Sequence, residues 1–218
     1  MTIEEQQRSL RQQLASRGIR DMRVLAAIER TRRDLFLPEE YRHLAYDDTA
    51  LPLAAGQTVS QPYIVALMTQ ELLLGQGESA RRDETVLEIG TGSGYQAAIL
   101  SQLCSRVVTV ERLPELSRYA QQILEELDYE NIEFFIGDGT LGCPPREPYD
   151  GIIVTAAAPD LPEPLYRQLK PGGRLVIPIG DSSIQELTVW TKTEPEPTVR
   201  NICACRFVKL IGEAGWRR

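Results

Sequence analysis

At 218 residues with 42% hydrophobic side chains, the chain suits one domain with an appendage and is too long for a small stand-alone binding motif. Its formal charge of -7 gives no broad attractive field for a phosphate backbone, which disfavours nucleic acid as substrate. No apolar run reaches the roughly 18 residues that cross a bilayer, and the opening MTIEEQQRSLRQQL lacks the apolar segment of a secretory signal, so a soluble cytoplasmic protein with no membrane partner is expected.

The cysteines at 104, 143, 203 and 205 are too few and too unevenly spaced for a disulfide framework. With His43 the one histidine, a four-ligand zinc site is hard to assemble even around the Cys203 and Cys205 pair. Reduced structural thiols and no metal are expected.

Residues 3 to 30 set Leu10, Leu14, Ile19, Val24, Leu25 and Ile28 in stripes at helical spacing, which Gly18 is expected to divide into two helices. The stretch RRDLFLPEEYRHLAYDDTALPL places Pro38 and Pro52 among aromatics and reads as an irregular connector packed on something larger. Residues 1–80 thus read as a helical N-terminal region carrying a loop at 56–63. In GQTVSQPYIVALM, Ser60 is a favoured helix N-cap ahead of Pro62 and the apolar Ile64, Val65, Leu67 and Met68.

From Thr85 the period changes. TVLEIG, RVVTVE, IEFFIGD, YDGIIVTAA and GRLVIPIG are strand-like runs separated by helical stretches such as YQAAILSQLC, LPELSRYAQQILEEL and PEPLYRQL. That alternation predicts a mostly parallel α/β sheet with helices on both faces over residues 81–218. IQELTVWTKT and VRNICACRFVKLI lie too close for a helix between them and read as a final antiparallel pair that turns at EPEP.

VLEIGTGSGYQAA is a buried-type strand, a turn with glycines at 90, 92 and 94, and a helix with small residues, a context in which a ligand can approach the backbone closely. The spacing is G-x-G-x-G; the dinucleotide fingerprint would need a further glycine where Tyr95 stands, so a nucleoside with an amino-acid tail suits the turn better than a pyrophosphate. Glu111 ends the next strand, where a carboxylate can accept from both ribose hydroxyls. Asp138 and Gly139, in GDGT after the third strand, offer a carboxylate for an adenine amino group.

Together E-x-G-x-G-x-G, the strand-ending Glu, GDG and YDGIIVTAA resemble the S-adenosylmethionine-dependent methyltransferases of the Rossmann-like class. The resemblance implies that Gly90, Thr91, Gly92 and Gly94, Glu111 with Arg112, and Asp138 with Gly139 hold S-adenosyl-L-methionine, while Glu88 supports its amino-acid end. Methyl transfer needs a base only if the acceptor carries a proton. None is evident here: His43 lies in the connector, and TAAAPD stands where amino-group methyltransferases carry an N/D-P-P-Y tetrapeptide. A carboxylate acceptor fits, since its pKa of about 3.3–4.3 leaves it ionised at neutral pH, although Tyr63, Asp160 or another carboxylate could take a proton.

GQTVSQPYIVALMTQELL ahead of the glycine turn, followed by TVERL, GDGTLG, YDGIIVTAAAP and CRFVKLIGEAGW, closely resembles the protein-L-isoaspartate O-methyltransferases from about Tyr46 to Trp216. The resemblance implies methylation of the free α-carboxylate of isoaspartyl residues in damaged proteins, after which the ester closes to a succinimide and part of it hydrolyses to aspartate. It also implies Ser60 as the active-site residue, Thr58 beside it, and backbone at Val208 pairing with the substrate peptide. A monomer is expected, since no sustained heptad or unmatched apolar patch is evident. Tyr63 stands where many relatives carry His, and Lys209 where many carry Pro. The alternatives are a Rossmann-like methyltransferase for a small molecule or RNA, a non-catalytic adenosine-ligand sensor, and a nicotinamide dehydrogenase, which the glycine spacing disfavours.

Overall fold

In the computed structural model, which describes residues 1–72 and 83–217, helix α1 (Ile3–Ser16) starts at a reciprocal cap. The Thr2 hydroxyl accepts from the Glu5 amide at 3.2 Å, and the Glu5 carboxylate accepts from the Thr2 amide at 2.8 Å. Gly18, at φ 100°, takes the left-handed conformation that stops α1. Helix α2 (Met22–Arg30) then begins at Asp21, whose carboxylate accepts from the Arg23 amide at 2.9 Å. The division at Gly18 is thus as the sequence predicts.

The connector folds into two 3-10 turns, Arg33–Phe36 and Glu39–Leu44, and then into a small hairpin of strands β1 (Leu51–Pro52) and β2 (Thr58–Val59). Ala55 and Gly56 make its turn at φ 57° and 69°. The hairpin delivers the chain to helix α3 (Pro62–Glu71), whose first residue is a proline that has no amide to leave unpaired. The N-terminal region is therefore not wholly helical, because β1 and β2 hold Thr58 and the residues around it in extended backbone.

Seven strands form the main sheet: β3 (Thr85–Ile89), β4 (Arg106–Glu111), β5 (Ile132–Ile136), β6 (Tyr149–Val154), β7 (Leu169–Gly180), β8 (Gln185–Thr191) and β9 (Thr198–Cys205). Their spatial order is β5-β4-β3-β6-β7-β8-β9, parallel from β5 to β7 and antiparallel at β7/β8 and β8/β9. The closing antiparallel pair is where the sequence places it. Helices α4 (Tyr95–Ser101), α5 (Pro114–Glu126) and α6 (Glu163–Arg167) connect the parallel strands. The chain leaves β3 first toward β4 and β5 and then returns to β6 on β3's other side. A crevice therefore opens at the carboxyl ends of β3, β4 and β6, where open α/β sheets hold their ligands.

Both faces of the sheet are dry at its centre, around β3, β4 and β6, which is why β3 reads as a continuous apolar run rather than an alternation. Leu87 and Ile89 pack with Val108, Ile152, Leu165 and Ile177 on one face. On the other face a single cluster runs from Leu10, Leu14 and Ile28 through Met68 and Ala97 to Val107, Ile153 and Val189. The N-terminal helices thus form one layer of the same core rather than an appendage beside it; the boundary expected at residues 80 and 81 lies outside the described residues. Leu14 is fully buried in that layer. Leu14→Ala should lower the unfolding free energy by about 2–5 kcal/mol while keeping one cooperative urea transition; two separated transitions would show that the layer folds on its own.

Candidate active site

Strand register brings the site together. Ile89 lies opposite Val110 on one side and Val154 on the other, so Gly90, Glu111 and Thr155 emerge at one level of the sheet edge. The Gly90 amide donates to the Val110 carbonyl at 2.8 Å, and the Thr155 amide donates to the Ile89 carbonyl at 2.9 Å, which carries the pairing one step past the strand ends.

Gly90, Gly92 and Gly94 have φ of 96°, 54° and 88°, a run of left-handed backbone that side chains other than glycine resist. A Cβ on Gly90 would overlap the Thr155 hydroxyl, which donates to the Gly90 and Ile89 carbonyls at 2.7 and 3.0 Å. Glu111 is buried against this turn: its Oε2 accepts from the Gly92 amide at 3.1 Å and its Oε1 from the Leu113 amide at 3.0 Å. Each carboxylate oxygen keeps further acceptor capacity for a ligand hydroxyl.

Gly90, Thr91, Gly92, Glu111, Arg112, Gly139 and Thr155 border one cleft with Thr58, Ser60 and Val208, about 840 Å³ of space counting its open mouth, whereas Gly94 lies off it, close to Leu124 and Ala120 of α5. A second cavity shares Thr58, Ser60 and Phe207 with the first and continues outward past Arg17, Tyr63 and Arg206. Ser60 therefore stands where a deep chamber meets an outer groove.

The capping reading of Ser60 is corrected by the geometry of α3. The N-cap position is Gln61, and the free Tyr63 amide donates to Asp48 Oδ1 at 2.8 Å, so a carboxylate from the connector caps the helix. Gln61 in turn donates from Nε2 to the Asp48 carbonyl at 2.7 Å. The Ser60 hydroxyl makes no hydrogen bond to any described residue and borders both cavities.

A profile of the family described as protein-L-isoaspartate(D-aspartate) O-methyltransferase (PCMT) matches residues 5–215 of this chain. The chain belongs to this family. It is 52% identical over 207 residues to protein-L-isoaspartate O-methyltransferase 2 of Pelobacter propionicus, covering 94% of this chain and 89% of that one. Protein-L-isoaspartate O-methyltransferase 1 of Geotalea uraniireducens is 53% identical over 205 residues, covering 93% and 91%. Among solved structures, a protein-L-isoaspartate O-methyltransferase superposes with a TM-score of 0.82 at 31% identity over 96% of this chain and 67% of that chain. A Plasmodium falciparum chain carrying the PCMT name, in complex with S-adenosyl-L-homocysteine, shares the fold with a TM-score of 0.79 at 24% identity, over 93% and 97%.

Not every residue that the sequence nominates for this PCMT site reaches the cleft wall. Asp138 does not: its Oδ1 accepts from the Thr140 amide and hydroxyl at 2.9 and 2.7 Å, and its Oδ2 accepts from the Glu213 amide at 2.7 Å. Partial burial raises this carboxyl, but those hydrogen bonds outweigh it and hold the group below its ordinary value. The neighbouring Gly139 borders the cleft, so Asp138 tethers the C-terminal loop behind it. At Val208 the carbonyl is taken by the Ala157 amide at 2.7 Å, while its own amide has no acceptor among the described residues. Lys209 also borders the cleft, with its ammonium 5.0 Å from the centre of the Trp216 ring. Tyr63 lies beside the outer cavity, with the Arg17 guanidinium stacked 3.8 Å from its ring centre. Asp48, which holds the start of α3 next to Ser60, is a supporting residue that sequence reasoning missed. Its only cue is that YDDT precedes the loop, and nothing local shows that it reaches the helix at Pro62.

Glu88 is likewise absent from the cleft wall and lies fully buried beneath the glycine turn. The Thr109 hydroxyl donates to its Oε2 at 2.5 Å, the Thr91 and Thr109 hydroxyls are 2.6 Å apart, and Oε1 has no partner. Burial pushes the Glu88 carboxyl up to about 8 despite the Thr109 hydrogen bond, and the nearby Glu111 charge adds to the rise. Because the folded value exceeds the ordinary 4.5, the stability contributed by Glu88 is fully present below that value and lost as pH rises through about 8. Glu88→Gln, neutral throughout, should therefore gain urea-midpoint stability relative to the parent chain between about pH 5 and about pH 9. A pH-independent difference across that window would mean that Glu88 is already ionised inside the fold.

Proposed function

We infer that this chain transfers a methyl group from S-adenosyl-L-methionine to the free α-carboxylate of an L-isoaspartyl residue in a damaged protein or peptide. The cleft fits the cofactor. The left-handed glycine turn admits a ligand against bare backbone, and Glu111, held by two amides, can accept from ribose hydroxyls. Gly139, Thr91 and Arg112 complete that end. When bound, the cofactor supplies an electrophilic methyl group on a sulfonium.

The observation that carries the choice of acceptor is the lack of a free neutral base among the described residues of the cleft wall. Among the described residues its one carboxylate, Glu111, is engaged by the Gly92 and Leu113 amides. Its one phenol, Tyr95, is fully buried, and burial pushes it up to about 12. His43 and Asp160 are exposed and off the cleft, and Tyr63 belongs to the outer cavity. An acceptor must arrive already deprotonated, as a carboxylate does.

The chain's own residues then have a positioning task. Ser60 donates its free hydroxyl to the acceptor carboxylate, and the unpaired Val208 amide donates to the isoaspartyl segment, with Thr58 beside them. Arg112 and Lys209 put positive charge on the cleft wall, which suits an anionic acceptor. The outer cavity past Arg17 and Tyr63 gives the rest of the peptide a way out. Alignment of this kind can supply roughly 7–11 kcal/mol of a bimolecular barrier. The methyl ester is a better electrophile than the carboxylate anion, so closure to the succinimide uses the substrate's own backbone nitrogen and needs no enzyme nucleophile.

A cytoplasmic monomer completes the reading. The four cysteines are unpaired, which suits a reducing compartment, and the large exposed apolar side chains Met22, Ile136, Ile184 and Val199 come from separate elements. No described helix is long and apolar enough to cross a membrane.

The deciding experiment gives the enzyme methyl-labelled cofactor with two peptides that differ only in isoaspartate against aspartate. Base-labile label should appear on the isoaspartyl peptide alone; label on neither, with cofactor still bound, would send the search for the acceptor elsewhere. Glu111→Ala should weaken cofactor binding roughly ten- to hundredfold, the loss of a charge-assisted hydrogen bond of about 1.5–3 kcal/mol, and unchanged affinity by calorimetry would remove Glu111 from the ribose. Ser60→Ala should lower turnover more than cofactor affinity.

A further inference from the structure

Arg33 is fully buried, yet no carboxylate among the described residues hydrogen-bonds to it. Its guanidinium instead donates to four backbone carbonyls. Nη1 reaches Ala45 at 2.8 Å and Asp47 at 3.2 Å; Nη2 reaches Thr49 at 2.9 Å and Ser60 at 3.1 Å. Ser60 precedes the first turn of α3, so the helix supplies no amide to its carbonyl, and among the described residues that carbonyl accepts from Arg33 alone. On its other side the guanidinium carbon lies 5.7 Å from the centre of the Tyr95 ring. Tyr95 is the first residue of α4 after the glycine turn, and it borders the cleft.

The geometry points to Arg33 as a positioning residue for the methyl transfer, one guanidinium that sets the height of the Ser60 backbone over the cofactor end of the cleft. This rests on the reading of Ser60 given above. The arginine is itself held: Phe36, in the same 3-10 turn, meets Tyr95 edge-on at 5.7 Å, and Arg32 is paired with Asp34, which also accepts from the Tyr46 hydroxyl at 2.6 Å. Asp48 caps α3 from the very turn whose carbonyls Arg33 collects. One planar fork thereby joins the connector, the serine and the aromatic floor of the cofactor side. A lysine, a point charge with three rotatable donors, cannot span four carbonyls in a plane.

The test uses Arg33→Lys, which keeps the charge, and Arg33→Met, which removes it, each alone and with Ser60→Ala. Arg33→Lys should fold, bind S-adenosyl-L-methionine within about threefold of the parent by calorimetry, and lose roughly ten- to hundredfold in kcat on an isoaspartyl peptide, the penalty expected of an Ångström-scale misplacement. Arg33→Met should lose at least as much. The double variant Arg33→Lys with Ser60→Ala should be no slower than the slower single, because both changes act through one hydroxyl. Parallel loss of cofactor binding and turnover in Arg33→Lys, unchanged kcat in that variant, or multiplying losses in the double variant each overturn the proposal while leaving the reading of Ser60 intact. Unchanged turnover of Ser60→Ala by itself overturns the serine reading, and with it the role given to Arg33.

Discussion

The parallel register of β3 between β4 and β6 is the constraint on which the rest of the site depends. Because Ile89 is paired on both sides, the chain beyond it leaves the sheet at the same level as Glu111 and Thr155. A slip of one residue would turn Leu87 and Ile89 from one packed face to the other and put Glu88 in their place. Both faces are dry, so a slip is opposed from either side. The turn can then be built of strained-looking left-handed backbone, since its ends are fixed by strands and its glycines bear no Cβ to resist.

The substrate side is placed by different means. No long ladder reaches Ser60; the hairpin of β1 and β2 is two residues deep, and the connector before it has only 3-10 turns. Irregular backbone of this kind exposes carbonyls that a helix or sheet would satisfy, and burying them without partners is unfavourable. Arg33 answers that need for four of them at once, and the Asp48 carboxylate answers the opposite need of the first free α3 amide. Positioning by buried polar groups is a substitute for secondary structure. It leaves the loop short enough to present a free hydroxyl to two cavities.

These two modes of placement explain what was legible in the sequence. The sheet announced itself because period, glycine spacing and strand-ending acids are local signals: VLEIGTGSG, TVE and the late strand pair all lie where the residues indicate. Ser60 stood out by its setting before Pro62, but its apparent capping role was misleading because the true cap, Asp48, comes from a segment with no helical period of its own. Arg33 was invisible for the same reason. In RTRRDLF three arginines look alike, and only the fold buries the last of them while leaving Arg32 to pair with Asp34. The acidic residues show the converse limit. Glu88, Glu111 and Asp138 each sit at or beside a strand end, yet Glu111 meets the cleft, Glu88 the floor beneath it and Asp138 a loop behind it, a difference that spacing alone does not carry.

Glu88 and Glu111 also show how one sheet edge separates two carboxylates by environment. Glu111 is met by two amides, whereas Glu88 has one hydroxyl and an unpartnered oxygen in a dry core, where burial and the nearby Glu111 raise its carboxyl. The Thr109 hydroxyl that donates to Glu88 also lies 2.6 Å from the Thr91 hydroxyl, so this polar chain ends at the glycine turn. Glu111, unlike Glu88, stands on the cleft wall, where ligand hydroxyl groups can reach it. In a cleft that must admit an anionic acceptor, a negative charge under the turn would oppose substrate entry; burial disfavours that charge on Glu88 while its Thr109 hydrogen bond keeps a polar floor under the turn.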